Sequence, residues 1–217
     1  MRLAAEKKSI GVDDANRSSR KRSAILEAAT EIFLKGGYLG TNMDEIAALS
    51  EVSKQTVYKQ FVSKEALFVE VVGSMTTDAG DLVHTEIELE EGGDLTAYLE
   101  DYAYRQLSVV VTPRVMQLRR LVIGEVSRFP DLAKVLYERG PMRAMAALAA
   151  TFSGLAERGL LTIDDAAVAA SHFNWLIMAA PLNQAMLLGD AAIPRPAELR
   201  RHAAQGVRVF LAAYGMR

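Results

Sequence analysis

Apolar side chains recur along this chain every three to four residues, the spacing that places them on one face of an α-helix. The first such segment covers about residues 19–35 and stops at the glycine pair 36–37. No segment sustains the alternation of apolar and polar residues that, between hairpin turns, predicts a β-strand. The pattern therefore predicts an all-α fold.

Three further helices follow the first, and each begins with a residue suited to cap a helix. Thr41, Ser53 and Ser63 are predicted to cap them, because hydroxyl side chains accept hydrogen bonds from the free N–H groups of a first helical turn. In the third helix, Val57 and Phe61 are predicted to point inward. The side chains left on its outer face are Lys54, Gln55, Thr56, Tyr58 and Lys59.

The helices predicted beyond residue 93 are longer. Asp94 is predicted to cap the first of them, and Asp164 to open a helix that contains no charged side chain. The pair Gly140-Pro141 is predicted to interrupt the chain, because proline lacks the N–H group that a helix interior needs. Two other predicted helices cover about residues 114–128 and 197–214.

The composition is that of a globular chain, with 50% apolar and 24% charged residues. The chain has no cysteine, which excludes disulfide frameworks, cysteine-ligated zinc sites and cysteine nucleophiles. The net charge is only −2, but residues 1–22 hold seven bases against three acids and end in the basic run 20–22. Such an arm is expected to approach phosphates if it lies beside a DNA-binding unit.

The uncharged stretch 166–189 is long enough to suggest a membrane span. Its polar side chains, among them Ser171, Asn174 and Gln184, would be costly to place in lipid. We therefore interpret the stretch as a helix buried inside the fold and against a second subunit, and expect no membrane contact. Because the amino end has no apolar signal-peptide core, a cytoplasmic location is expected.

Candidate catalytic and metal-binding groups are few. The histidines His84, His172 and His202 are too scattered in sequence to predict a metal site, and no nucleophile elbow or glycine-rich phosphate loop occurs. His84 and Glu88 have helical spacing and could bind a metal or act as a base, but a solvated pair on the fourth helix is the simpler interpretation. The sequence therefore predicts neither an enzyme nor a metal or cofactor site.

The second and third helices have the spacing of a helix-turn-helix, in which the second helix of the pair enters the DNA major groove. The groove takes one helix, so that only side chains on its exposed face reach the bases. Gln55, Thr56 and Lys59 are therefore predicted to contact base edges, and Lys54 and Tyr58 to contact phosphates. The pattern alone leaves open a plain helical hairpin whose polar face is merely solvated.

Two further residues, Thr41 and Lys64, stand at predicted helix starts. Free backbone N–H groups there favour an anion. Both residues are therefore candidates for contact with DNA phosphates.

About fifty residues in one ungapped register carry a resemblance to a known family. They are Ala28, Ala29, Phe33, Gly37, Tyr38, Thr41, Ile46 and Ala47, followed by Val-Ser-Lys-Gln-Thr-Val-Tyr-Lys-Gln-Phe at 52–61 and Ser-Lys-Glu-Ala-Leu-Phe at 63–68. This block closely resembles the amino-terminal domain of the TetR/AcrR family of one-component transcriptional regulators. The chain departs from the family pattern at Ser50-Glu51, where alanine and glycine are common. Glycine suits a turn of positive φ, which costs glutamate more.

The resemblance implies a three-helix DNA-binding head, a fourth linking helix, and a larger body that binds a ligand and forms a homodimer on a pseudo-palindromic operator. Carried over by position, it implies that Thr41, Gln55, Thr56, Tyr58, Lys59 and Lys64 contact DNA. The expected division is a basic flexible arm over 1–18, a DNA-binding domain over 19–64 with the helix-turn-helix at about 41–61, and a ligand-binding and dimerisation domain over 65–217.

The expected function is that of a ligand-responsive regulator, a repressor released from its operator by a small lipophilic molecule. The pattern Arg119-Arg120-Leu121-Val122, with Arg128-Phe129-Pro130 after it, is similar to a TetR subgroup linked with efflux and lipophilic compounds. The alternative is a helical enzyme or small-molecule carrier with an incidental amino-terminal hairpin. A salt-dependent gel shift separates these hypotheses, because neutralisation of phosphates by Lys and Arg makes DNA affinity fall with salt.

Inward-facing residues that combine bulk with polar groups are candidates for ligand contact. They are Tyr102, Gln106, Met116, Phe152, Asn174, Trp175 and Met178. Core packing predicts much the same set, since aromatic residues and methionine at helical spacing commonly fill cores. The apolar helices at 166–188 and 197–214 are predicted to pair with their symmetry mates in a homodimer.

Overall fold

The computed structural model describes the backbone of residues 2–83 and 89–216, and the side chains of residues 16–83 and 89–216. These residues form α-helices joined by short loops, with one isolated antiparallel bridge between Leu161 and Gly215. The all-α prediction is confirmed. The helices are α1 (Arg2–Gly40), α2 (Met43–Leu49), α3 (Lys54–Gln60), α4 (Lys64–Val83), α5 (Leu95–Val110), α6 (Pro113–Glu125), α7 (Pro130–Tyr137), α8 (Arg143–Glu157), α9 (Ala166–Leu188) and α10 (Pro196–Tyr214).

The chain divides into two compact units, Met1–Val72 and Gly73–Arg217. In the first unit, α1, α2, α3 and the first turns of α4 enclose a small core. Phe33, Tyr38 and Phe68 form its aromatic part, with ring centroids 4.7 Å apart for Phe33 and Phe68 and 5.1 Å apart for Tyr38 and Phe68. This core holds the helix-turn-helix segment.

The first helix is longer than predicted at its amino end, because it begins at Arg2 rather than near residue 19. At its carboxyl end, a short further helical segment extends to Gly40 beyond a kink. The predicted stop at the glycine pair coincides with a break in the helical geometry, because Gly37 has φ 69° and ψ 177°. Glycine adopts this positive φ without the steric cost that a Cβ would add.

Thr41 does not cap α2, so that prediction is wrong. The cap is Asn42, whose backbone is extended and whose side-chain oxygen accepts a hydrogen bond of 2.9 Å from the Asp44 N–H. Thr41 is only 4% exposed, and its hydroxyl donates to the Gly37 carbonyl oxygen at 2.7 Å. The Thr41 hydroxyl is therefore bonded to the end of α1, and the next residue, Asn42, caps α2.

The other caps predicted near the helix-turn-helix are confirmed. The Ser53 hydroxyl accepts from the Thr56 N–H at 3.1 Å, and the Ser63 hydroxyl accepts from the Ala66 N–H at 3.0 Å. Asp94 likewise caps α5. These contacts span only two or three residues, so the local sequence is enough to specify them.

Glu51, in the turn between α2 and α3, has φ 54°. This is the left-handed region that favours glycine, and a residue with a Cβ is strained there by roughly 1–2 kcal/mol. The turn therefore keeps the geometry that the family pattern implies, but with glutamate in the strained position.

We expect Glu51→Gly to raise the free energy of unfolding by about 0.5–1 kcal/mol, since relief of this strain exceeds the extra entropy that glycine loses on folding. Urea denaturation followed by circular dichroism measures the difference. Glu51→Ala is the matched control, because it removes the same carboxylate and keeps the Cβ. A glycine variant no more stable than the alanine variant would show that the turn is unstrained.

The second unit is built around α5, α8, α9 and α10. Three buried phenylalanines meet at its centre, with ring centroids 5.5 Å apart for Phe152 and Phe173, 4.9 Å for Phe152 and Phe210, and 5.1 Å for Phe173 and Phe210. None of the helices in the described part of the chain has the length and apolarity that a bilayer span requires. The uncharged helix α9 is instead partly buried in this core.

Two predicted boundaries in the second unit are corrected. Asp165, not Asp164, caps α9, because its carboxylate accepts from the N–H groups of Ala167 and Val168. Gly140 and Pro141 do not interrupt the chain, which passes from α7 to α8 through a wider π-helical turn, Glu138–Met142. A π-helical turn shifts the hydrogen-bonding register, so that the missing N–H of Pro141 is accommodated without ending the helix.

Candidate nucleic-acid interface and ligand cavity

The helix α3 has one buried apolar face and one exposed polar face. Val57 is fully buried and Phe61 nearly so, as predicted, and they hold the helix on the core. Gln55, Tyr58 and Lys59 are exposed on the opposite side. Thr56 is half-buried, and its hydroxyl lies 2.9 Å from the Ser53 hydroxyl. The structure thus brings three of the predicted DNA-contacting side chains together on one accessible face.

Lys54 already has a charged partner. Its ammonium lies 2.7 Å from the Asp44 carboxylate, in an exposed ion pair between the first turns of α3 and α2. The hydrogen bond and the charge of Asp44 raise the pKa of Lys54. An exposed pair of this kind contributes little stability, so Lys54 can exchange Asp44 for a DNA phosphate at small cost.

Thr41 and Lys64 lie next to each other in the fold, although they are 23 residues apart in the sequence. The Lys64 ammonium donates to the carbonyl oxygens of Tyr38, at 2.9 Å, and Thr41, at 3.0 Å, and it lies 4.6 Å from the centroid of the Tyr38 ring. Lys64 therefore ties the segment before α2 to the first turn of α4. Two of its three ammonium hydrogens are used in doing so.

Arg22 has a role that the sequence pattern missed. Its position in the sequence places it at the end of the basic arm, but its guanidinium donates to the Glu70 carboxylate at 2.7 Å and lies 4.3 Å from the centroid of the Phe61 ring. It also donates to the Gln60 carbonyl at 3.4 Å. Arg22 therefore joins α1 to the end of α3 and to α4, partners that are 38 to 48 residues away.

The second unit contains a cavity of about 100 Å³. Its lining is mostly apolar and comes from α4, α5, α6, α7, α8, α9 and the π-helical turn. Four of the predicted ligand-contacting residues line it, namely Gln106, Asn174, Trp175 and Met178. The contribution of α4, which includes Met75, Thr76 and Val83, was not predicted.

The other three predicted ligand-contacting residues do not line this cavity. Tyr102, Met116 and Phe152 are buried in the core. The Tyr102 ring lies 6.1 Å from the Phe173 ring between centroids, and burial raises the pKa of its hydroxyl. Helical spacing predicts that these side chains point inward, but it does not predict whether they line a cavity or pack against other side chains.

Polar side chains of the cavity wall come from four helices, with Thr76 of α4 among them. The Gln106 side-chain N–H donates to the Asn174 side-chain oxygen at 3.0 Å, which links α5 to α9. Arg119 of α6 also lines the cavity, and burial lowers the pKa of its guanidinium. Arg119 was not predicted to line it, although Val115, Leu118 and Val122 place it within a helical stripe of inward residues.

A shallow groove runs over the outer surface of α9 and α10, lined by His172, Trp175, Leu176, Val209, Phe210, Ala213 and Tyr214. We refer to these residues as the α9–α10 face. Trp175 is 54% exposed and Val209 is 52% exposed. Trp175 therefore lines both this surface and the cavity.

Some sequence hypotheses concern residues that the structure does not cover. His84 and Glu88 lie outside the described residues, as do the side chains of the basic arm before residue 16. Within the described part of the chain, no three acidic or histidine side chains are grouped closely enough to hold a metal ion.

Two family models match the chain. One describes bacterial regulatory proteins of the tetR family and matches residues 25–71, which include the helix-turn-helix. The other describes the C-terminal domain of AefR-like transcriptional repressors and matches residues 97–216, more than half of the chain.

Several known proteins are similar to this chain over most of its length. The structure of a TetR-family transcriptional regulator from Mesorhizobium loti MAFF303099 is 39% identical, with a TM-score of 0.84 over 92% of this chain and 99% of that one. The flavonoid-responsive regulator FrrA is 29% identical, with a TM-score of 0.72 over 92% and 99%. The HTH-type transcriptional regulator YvkB of Bacillus subtilis (strain 168) is 27% identical over 187 residues, 84% of this chain and 90% of its own length.

Proposed function

The chain belongs to the TetR family of DNA-binding transcriptional regulators, and on this premise we propose that α3 reads operator DNA while the cavity binds a lipophilic effector that causes release. Proteins of this family are regulators and not enzymes, so the alternative of a helical enzyme is not favoured. Regulators of this family bind operator DNA and small-molecule effectors and form dimers.

The observation that carries the DNA-binding proposal is the exposed polar face of α3. Gln55 and Lys59 extend from it without partners among the described residues, and a helix of this size fits one major groove. We assign Gln55, Thr56 and Lys59 to base edges, and Lys54 and Tyr58 to phosphates.

Thr41 and Lys64 differ from the α3 residues in their proposed roles. The hydroxyl of Thr41 donates its proton to Gly37, so it cannot also donate to a phosphate. Lys64 keeps one ammonium hydrogen for a phosphate oxygen after its two bonds to the backbone. We propose that both residues hold the approach to α2, and that Lys64 also contacts the DNA backbone.

The composition of the cavity supports a lipophilic effector. Its wall is mainly aliphatic, with Trp175 as an aromatic surface, and such walls favour apolar compounds with a few polar groups. The similar regulator FrrA is described as flavonoid-responsive, which is in line with an aromatic organic effector.

The helix α4 provides the route between effector and DNA. Residues 75–83 of this helix contribute to the cavity wall, and Lys64 in its first turn holds the segment before α2. An effector that fits the cavity only after α4 shifts would favour a dimer with altered spacing of its recognition helices. A coupling free energy of about 1–3 kcal/mol is typical of such effects.

Hydrophobic compounds that release the operator should also change the fluorescence of Trp175, because it lines the cavity and is the single tryptophan of the chain. Titration with simultaneous readings of tryptophan emission and of the anisotropy of labelled DNA from upstream of the coding region tests this. Trp175→Phe should alter effector potency, and the DNA affinity of the variant without effector is measured beside it, because Trp175 also lies on the α9–α10 face. Release without an emission change, and at unaltered potency in Trp175→Phe, would place the effector elsewhere.

A further inference from the structure

The guanidinium of Arg119 is a partly buried charge without a partner among the described residues. It lies on α6 in the inward stripe with Leu118 and Val122, both of which are fully buried, and it contributes to the cavity wall. Its Nε is buried and has no hydrogen-bond partner, and no described residue pairs with its guanidinium. A buried polar group without a partner costs free energy, and a buried charge costs more.

Two other arginines of the second unit, unlike Arg119, are paired with carboxylates. Arg120, the next residue, donates to the Asp190 carboxylate and to the Ala185 carbonyl. Arg143 donates to the Asp81 carboxylate at 2.6 Å. In contrast, none of the described residues that line the cavity is acidic. The charge of Arg119 is therefore not neutralised by the wall that surrounds it.

A second unsatisfied group lies on the same wall. Gln106 is almost fully buried, and its amide N–H donates to Asn174 at 3.0 Å, but its side-chain oxygen is buried and none of the described residues donates to it. The cavity thus presents a cation and a hydrogen-bond acceptor, both without partners among the described residues, within a mainly apolar wall.

From these groups we infer that the effector is an amphipathic organic acid, whose carboxylate pairs with the Arg119 guanidinium while its apolar body fills the cavity. The inference rests on the proposed function, and it specifies the chemical class of the effector. Arginine suits this role because its planar guanidinium donates two parallel hydrogen bonds to a carboxylate. A hydroxyl or amide N–H on the same compound would satisfy Gln106.

The volume of the cavity limits the size of the acid that it can bind. Its volume of about 100 Å³ is of the same order as the cavity that admits benzene in an engineered protein interior. The compounds to test are therefore benzoate, 3-phenylpropanoate and octanoate, each with its primary amide as a neutral counterpart of the same size.

We expect each acid that binds to do so about tenfold or more tightly than its amide, because a hydrogen bond between charged partners is stronger than one to a neutral group. Binding to the full-length protein is measured by calorimetry and by tryptophan emission, and release of labelled operator DNA is followed in the same samples. Arg119→Met should remove the preference for the acid, and Arg119→Lys should retain part of it. Arg114→Met is the matched control, since Arg114 is exposed on the same helix.

A stability measurement separates a binding role of Arg119 from a structural one. Without ligand, Arg119→Met should melt at or above the wild-type temperature, because it removes a partly buried charge that has no partner among the described residues. A melting temperature lowered by several degrees in both Arg119→Met and Arg119→Gln would show that Arg119 holds the fold together, and would overturn the inference.

Three binding results would also overturn it: amides that bind as tightly as the acids, an acid preference that persists in Arg119→Met, or no binding of any acid in the set. If amides release the operator as well as acids do, the proposed function stands and only the class of effector is wrong. If the protein binds no operator DNA in a gel shift, the proposed function itself fails, whatever the acids do.

Discussion

Lys59→Ala and Gln55→Ala should each weaken operator binding by about tenfold to a hundredfold without unfolding the protein. Both side chains are exposed on α3, opposite the buried Val57, so their removal leaves the core intact. A side chain that pairs well with a base edge contributes about 1–3 kcal/mol of discrimination. Changes at exposed positions away from structural features are commonly within about 0.5 kcal/mol of neutral in stability.

The measurement is the anisotropy of labelled DNA at several salt concentrations, with Lys134→Ala as the control. Lys134 is an exposed lysine on α7, in the other compact unit. If Lys59 reads a base, Lys59→Ala should relax the preference for one operator sequence. If it contacts a phosphate, the variant should weaken binding to all sequences and reduce the salt dependence. Wild-type affinity in both α3 variants would refute the assignment of this face to DNA.

Val209→Glu should convert the dimer into a monomer. Val209 is 52% exposed on the α9–α10 face, beside Trp175 and Ala213. An apolar face of this kind is expected to pair with its symmetry mate, because a homodimer places the same patch on both sides of its axis. A carboxylate buried there without a partner costs several kcal/mol, so we expect the dimer dissociation constant to rise by at least about a hundredfold.

Sedimentation equilibrium at micromolar protein gives the mass directly. The wild type should show twice the chain mass of 23.7 kDa, and Val209→Glu should show the chain mass itself. Val126→Glu is the matched control, because Val126 is 43% exposed at the end of α6 and outside the α9–α10 face. The monomeric variant should also lose operator affinity, since a single head contacts one half-site. A dimeric Val209→Glu would exclude this face as the interface.

The two predictions are independent. The first removes contacts with DNA and leaves assembly unchanged, whereas the second removes assembly and leaves α3 unchanged. Gln55→Ala and Lys59→Ala should therefore sediment as dimers, and the circular dichroism spectrum of Val209→Glu should remain helical.

Much of the first unit follows from local sequence. Ser53 and Ser63 cap α3 and α4 through contacts with residues three positions away. Val57 and Phe61 are buried as their spacing predicts. The positive φ of Glu51 follows from the tightness of the turn between two helices whose ends are marked in the sequence.

The sequence was less informative where two neighbouring residues compete for one local role. Thr41 and Asn42 are both suitable caps, and so are Asp164 and Asp165. In each pair the choice depends on which residue is free to adopt an extended backbone, as Asn42 and Asp165 do. For Thr41, that choice was made by the hydrogen bond to Gly37 at the end of α1.

By itself, then, the sequence determined the helical period, most caps and the polar face of α3, because each depends on residues within about one turn of one another. Only the tertiary structure decided that Arg22 joins three helices, that Arg119 has no partner in the described part of the chain, and that Gln106 borders a cavity while Phe152 is packed. Periodicity specifies which face of a helix is buried. Whether a buried face meets a neighbour, a carboxylate or an empty space depends on side chains that only folding brings together.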